Sequence, residues 1–243
     1  MKFATNTRGQ FIIIAVLMIA LMIVSLGATL YSMGNYYKQE QWEEYITLIE
    51  HVKQGTIDLV DISLAAYTVS EPQFDTGILK ANLNSWQDDL RKAYPGCGIA
   101  LTYDLINGSD QSSGSSIYYV QGLAHQWNEP RSFSAAKATI TLNATSIGLE
   151  GYKFVATSFL ELKILNVDPS SKLINATVLH DAIPVTGLKK ENFEVENLTI
   201  TRVTSNYDPQ YKLVYTVLCD NLQLSSATLT VKDQRGIKVV ATK

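Results

Sequence analysis

The pattern of apolar and polar positions divides the chain into an apolar run, a helical stretch and a long region of alternating residues. Phe11 to Val24, FIIIAVLMIALMIV, is wholly apolar, and no charged residue occurs between Arg8 and Lys38. At about 1.5 Å per residue, Phe11 to Met33 makes a helix of about 34 Å, enough to cross a hydrocarbon core of about 30 Å. Beyond Asn35 the apolar residues Trp42, Tyr45, Ile46, Ile49, Val52, Leu59 and Val60 recur mostly at spacings of three and four, with Glu, Lys and Gln between them. That period predicts continuation as an amphipathic helix, which Gly55 weakens without ending. SEPQFDTG at 70–77 breaks the pattern, ILKANLNSWQDDLRKAY at 78–94 resumes it through Ile78, Leu79, Leu83, Trp86 and Leu90, and PGCG at 95–98 stops it. Residues 35–96 are therefore expected to form a helical stalk or hairpin.

From Ile99 the period changes to two. GIALTYDLI, SSIYYVQG, KATITLNATSIG and YKFVATSFLELKILNV have the β-branched and aromatic content of strands, and NGSDQSSGSS at 107–116 reads as a hairpin connection. Asp104 precedes that connection and Asp110 lies within it, without the regularly spaced acids of a calcium loop. A second β unit is expected from NVDPSSK at 166–172, with strands LINATVLH, FEVENLTITRVTS, YKLVYTVLC, SATLTVKD and IKVVAT at intervals typical of a sandwich.

Charge distribution orients the apolar run. Lys2 and Arg8 precede it without an acid, whereas Lys38 is followed by Glu40, Glu43, Glu44 and Glu50. The positive-inside bias places the short N-terminus in the cytoplasm and the rest outside. A cleaved secretory signal is the competing description, but SLG at 25–27 and LGA at 26–28 are poor A-x-A sites. The net charge of −3 and the scattered Lys and Arg give no basic face for nucleic acid.

Arg8-Gly9-Gln10 followed directly by the apolar run resembles the class III signal of archaeal type IV pilin-like proteins. The resemblance implies cleavage between Gly9 and Gln10 and retention of the apolar helix, first as a membrane anchor and then as the core of a filament. Ile14 stands where many pilins carry a glutamate, and an uncut single-pass anchor is the alternative. ATVLHDAIPVTGLKKENFEV at 176–195 resembles an Ig-like module of prokaryotic surface proteins, which implies a sandwich fold and leaves the ligand open.

The fold expected is α+β. A leader at 1–9 and a transmembrane helix at 10–34 precede the helical region at 35–96, a β-rich domain at 97–165 and an Ig-like β-sandwich at 166–243. Candidate chemistry is sparse. His51, His125 and His180 have no metal-binding spacing, no GxSxG motif accompanies the serines, and no catalytic residue, metal or cofactor is assigned. Four sequons, at Asn107, Asn143, Asn175 and Asn197, are candidate glycosylation sites in the expected extracytoplasmic region. Cys97 and Cys219 are a candidate disulfide, the alternative being two isolated thiols. AHQWNEPRSF at 124–133 offers His125, Trp127 and Arg131 as a candidate binding rim, against the alternative that Trp127 caps the core.

These readings lead to a single-pass anchored surface protein with a structural or adhesive role. Its expected partners are the lipid bilayer and either copies of itself or other surface proteins. The alternatives are a subunit of a type IV pilus-like filament and, third, a carbohydrate-active enzyme.

Overall fold

The computed structural model describes residues 7–111, 116–210, 212–220 and 226–243, except that the side chains of 7–15, 34–44 and 212 lie outside the description. The chain divides into two compact units, residues 1–51 and Val52–Lys243. Helix α1 runs Thr7–Val69 and contributes to both.

In the first unit Val16–Met33 is long and apolar enough to cross a membrane and has none of its residues buried. Val16, Leu17, Met18, Ile19, Leu21 and Met22 all stand more than half exposed.

In the second unit the last turns of α1 bury Val52, Thr56, Val60, Ser63, Leu64, Tyr67 and Thr68, one stripe at helical spacing. Helix α2, Ile78–Ala93, presents Leu79, Leu83 and Leu90 as its buried residues. The two helices interlock through polar pairs: Trp86 Nε1 donates to Thr56 Oγ1 at 3.1 Å and Asn82 Nδ2 to Ser63 Oγ at 2.9 Å. Gly55 is the residue this packing requires, because a Cβ there would lie 2.7 Å from the Trp86 ring. Tyr94, before Pro95, caps the helix by bonding its N–H to the Leu90 carbonyl.

Among the described residues thirteen strands follow. β1 (Ile99–Leu105), β2 (Gly108–Asp110), β3 (Ile117–Tyr119), β4 (Leu123–Gln126), β5 (Arg131–Ala144) and β6 (Leu149–Asp168) precede β7 (Leu173–His180), β8 (Ile183–Pro184), β9 (Phe193–Val195), β10 (Ile200–Asp208), β11 (Lys212–Cys219), β12 (Thr228–Lys232) and β13 (Lys238–Thr242). An antiparallel eight-stranded sheet has the order β1-β5-β6-β7-β11-β10, with β4 beside β5 and β8 beside β7. β13-β12-β9 form a second sheet and β2-β3 a hairpin.

The long strand β5 shows why the sheet has two coverings. Its even-numbered residues Ser132, Ser134, Ala136, Ala138, Ile140, Leu142 and Ala144 are all buried. Small side chains stand where β13 crosses: Ser134 Oγ donates to the Lys238 carbonyl at 2.7 Å, and Asn128 N–H to that of Val240 at 3.0 Å. The larger Ile140 and Leu142 lie further along, in the half of β5 that pairs with β1, the strand against which α2 packs. Each such buried side chain contributes about 1.5–3 kcal/mol of hydrophobic stabilisation. Between the two sheets the Phe193 ring lies 5.3 Å from that of Tyr215, whose hydroxyl donates to the Val185 carbonyl at 2.7 Å.

The boundary expected between residues 165 and 166 falls inside β6. A register shift between Ile164 and Asn166 keeps β6 paired to β7 and turns Val167, rather than Asn166, inward. The turn-rich NVDPSSK segment is thus the β6–β7 hairpin connection, and residues 166–243 supply strands to both sheets.

Candidate functional site

The odd-numbered residues of β5 and β6 face the other side of the sheet. There Phe133 and Phe159 stack at 5.3 Å with their planes 27° apart. Ile117 and Tyr119 of the β2–β3 hairpin pack over them with Ala124 and Ala135. The hairpin is tied down by Lys137 of β5, whose Nζ lies 2.6 Å from Asp110 Oδ2. It is closed at its base by Gly122, at a positive φ of 78°, where a Cβ would sit 2.6 Å from the Lys137 carbonyl. The result is a trough of about 790 Å³ between this hairpin and the turn Asp181–Ala182 that joins β7 to β8.

Charged groups mark the walls. Arg131 holds Glu161 by two bonds of 2.9 Å, from Nε and Nη2 to the two carboxylate oxygens. The Glu161 side chain is only 10% exposed, against 63% for Arg131. Burial, with the Asp110 charge added, pushes the Tyr119 hydroxyl pKa up to about 12, so it stays a neutral donor at physiological pH. An aromatic floor inside a polar rim of this volume is the usual form of a binding pocket.

On the covered face a second polar cluster joins α1 to both sheets. His180 Nε2 lies 3.8 Å from Asp61 Oδ1 and 3.4 Å from Ser158 Oγ; His180 Nδ1 lies 3.1 Å from Arg235 Nη1 and 3.5 Å from Asp181 Oδ2. Arg235 also bonds Asp61 at 3.3 Å and Asp233 at 2.9 Å. Burial raises the Asp61 carboxyl pKa, but the neighbouring His180 and Ser158 side chains and the Arg235 charge outweigh it, leaving the net shift downward; its buried Oδ1 has no hydrogen-bond partner among the described residues. Asp181 is shifted upward by burial, with the Asp61 charge adding to it. Ser158, His180 and Asp181 have the residue types of a hydrolytic triad. Ser158 is fully buried, however, so in this arrangement its hydroxyl meets no solute.

The sequence-derived rim is only half assembled. His125 stacks on Phe74 at 3.9 Å, accepts or donates a 2.7 Å bond with Tyr67 Oη, and meets Trp127 edge-on at 5.4 Å. Trp127 Nε1 donates to Ser134 Oγ at 3.0 Å, and Lys238 Nζ lies 5.4 Å over its ring. Trp127 is therefore half-buried and seals the joint between the α1–α2 connection, through Phe74, and β4, β5 and β13. Arg131 is not with them, because its place on β5 points it to the trough and Glu161.

The cysteines are both free: Cys97 precedes β1 and Cys219 ends β11, with β5, β6 and β7 between those strands. That separation corrects the candidate pairing, since a bridge needs Cα atoms within about 7 Å.

Of the sequons, Asn107 accepts from Gln121 N–H at 2.7 Å, Asn143 from Gly151 N–H at 2.6 Å and Asn175 from Thr216 Oγ1 at 2.9 Å. Asn197 is exposed at a positive φ of 59° in the turn between β9 and β10. Arg8, Gly9 and Gln10 fall within α1, and their side chains lie outside the described residues.

Sequence reasoning missed Phe133, Phe159, Tyr119 and Glu161. Glu161 carried a signal, as the one acid inside the apolar stretch FLELKIL. Comparison with known protein families, with curated proteins and with solved structures finds no match.

Proposed function

We propose that the chain is a single-pass membrane-anchored, extracytoplasmic surface protein with a structural or adhesive role. The observation that carries this reading is the exposure of Val16–Met33, an uncharged helical stretch of 18 residues with no buried side chain. At about 1.5 Å per residue it is about 27 Å long, close to the thickness of a hydrocarbon core. Apolar surface on this scale requires a cover, and lipid supplies one over the whole circumference. Lys2 and Arg8 before the helix, and Glu40, Glu43, Glu44 and Glu50 after it, favour a cytoplasmic N-terminus.

The β-rich unit is then the part presented outside. Its residues 166–243 we read as an Ig-like module, supported by their division between two antiparallel sheets with Phe193 and Tyr215 between them. Asn197, exposed in the turn between β9 and β10, is a sequon placed to carry a glycan. The pilin-like alternative covers the same helix with copies of itself, and Arg8-Gly9-Gln10 is the feature that favours it.

The test is alkaline extraction of membranes from expressing cells, followed by mass spectrometry of the intact chain. Retention in the membrane with an N-terminus at Met1 supports the plain anchor, and retention with one at Gln10 supports pilin-like processing. A chain released by alkali and starting near Thr29 would sink both.

A further inference from the structure

We infer that the free edge of β6 captures an extended peptide strand, which lengthens the sheet and places one side chain in the trough. This goes beyond the anchored-surface reading and does not depend on what covers α1.

The first observation is an unfilled strand position. Phe159 accepts at its carbonyl from Asp181 N–H at 2.9 Å, while Ile164 N–H donates to the Pro130 carbonyl on the β5 side. In an antiparallel pair these directions alternate, so odd-numbered residues of β6 turn their backbone groups toward β7 and even-numbered ones toward β5. β7 ends at His180, paired with Leu160. Continuing the alternation through the unbroken β5–β6 register, the N–H and C=O groups of Lys153, Val155 and Thr157 point to the same side, where no strand among the described residues pairs with them. Among the described residues none of these backbone groups has a hydrogen-bond partner.

The second observation is where that edge leads. Thr157 and Phe159 belong both to the edge and to the trough, whose far wall is Ala182 at the β7–β8 turn. Asp181 and Ala182 hold positive φ values of 48° and 66°, which folds β8 back on β7 and leaves the position collinear with β7 open. A strand laid there meets three residues' worth of backbone donors and acceptors. Its residue opposite Thr157 projects on the same face as Phe159, into the aromatic floor.

The edge is lightly guarded: Val155 is 49% exposed, Lys153 is the one charge among the three residues, and no proline interrupts them. Backbone groups in this spacing are complementary to another backbone, which identifies the occupant as an extended peptide. The trough selects a large aliphatic or aromatic side chain at one alternate position.

The experiment pans a phage-displayed random dodecapeptide library against the full chain in detergent micelles. The best binder is then synthesised and its affinity measured. The expected peptides alternate apolar and polar residues. Binding slows hydrogen exchange at the Lys153, Val155 and Thr157 amides, falls at least tenfold in Val155→Pro and changes less than threefold in Val155→Thr. N-methylation of alternate peptide residues abolishes it. If Val155→Pro does not fold, the exchange measurement and the N-methylated peptides carry the test on the unaltered protein.

Absence of any binder up to millimolar peptide, or binding that leaves the three amides unprotected, overturns the inference. So does protection already present without peptide, together with a concentration-dependent dimer, because the edge is then filled by a second copy.

Discussion

Residues Val16–Met33 and Val52–Val69 belong to one helix, yet the first stretch buries nothing and the second buries Val52, Thr56, Val60, Ser63, Leu64, Tyr67 and Thr68. The apolar half is uniform around its circumference, with Leu, Ile, Met and Val at every angle. The packed half is polarised, and its buried stripe mixes aliphatic residues with hydroxyls that bond helix carbonyls or the partner helix, as Thr56 does with Val52 and Trp86. An all-round apolar surface suits a solvent such as lipid, which contacts every side equally. A stripe suits a specific neighbour on one side. Hydrophobicity alone therefore does not tell where a helix is buried; its angular distribution does.

The sharpest way to break this contrast is a pair of equal truncations. Leu64→Ala is expected to cost about 2–5 kcal/mol of unfolding free energy, because it opens a cavity at a fully buried site. Leu21→Ala, at a side chain 60% exposed, should leave the same denaturant midpoint within about 0.5 kcal/mol. Equal losses from both would show that Leu21 is packed after all. A charge reverses the sensitivity. Ile23→Arg should weaken membrane insertion by about 3 kcal/mol, read as loss from the alkali-resistant membrane fraction, with thermal unfolding of the β-rich unit unchanged.

Next in size is Gly55→Ala. In an open helix this change gains about 1 kcal/mol of propensity. Here the new Cβ would lie 2.7 Å from the Trp86 ring, so overpacking dominates and a net loss of about 1–2 kcal/mol is expected. Combining it with Trp86→Leu should remove the penalty, and a double-mutant cycle that finds the two changes additive would contradict the contact.

How much of this was legible in the sequence depends on whether the cause is local. The break between α1 and α2 was, because Pro72 and Gly77 act on their own backbone. The run of β6 was legible from its alternation, but its continuation past residue 166 was not. The same Asp-Pro-Ser-Ser chemistry ends a hairpin and separates domains, and only the pairing partner decides between them. β4 was missed because a strand of four residues carries too little period to detect. The trough follows the same rule. Glu161 stood out as an acid in an apolar strand, whereas its partner Arg131 reaches it through register across β5 and β6. Asp61, His180 and Arg235 come from α1, the end of β7 and the β12–β13 turn, and nothing in the spacing of those residues announces their meeting.

The smallest effect expected sits where the packed half of α1 ends. His125 bonds Tyr67 Oη at 2.7 Å and stacks on Phe74, with Glu71 and Lys238 the charged groups nearby. Packing against Tyr67, Phe74 and Trp127 takes the ring of this otherwise exposed residue partly out of water and lowers its pKa, and the Glu71 charge only partly opposes this. A base whose folded pKa lies below its unfolded value of about 6.5 binds fewer protons when folded, so stability falls as pH drops through that window. The Tyr67 bond gives the reason in structural terms: a neutral Nδ1 accepts from the phenol, and an imidazolium has no acceptor left. Asp61, likewise shifted below its ordinary value, acts only at more acid pH, where its contribution is lost as the carboxylate protonates. Chemical unfolding of the full chain in micelles should therefore show a modest decline in midpoint from pH 7.5 to 5.5. His125→Gln, which keeps an acceptor for Tyr67, should flatten that decline while leaving the more acid transition in place. An unchanged slope in the variant would assign the titration to a group other than His125, and not to Asp181, whose upward shift by burial makes the folded state bind more protons and so acts with the opposite sign.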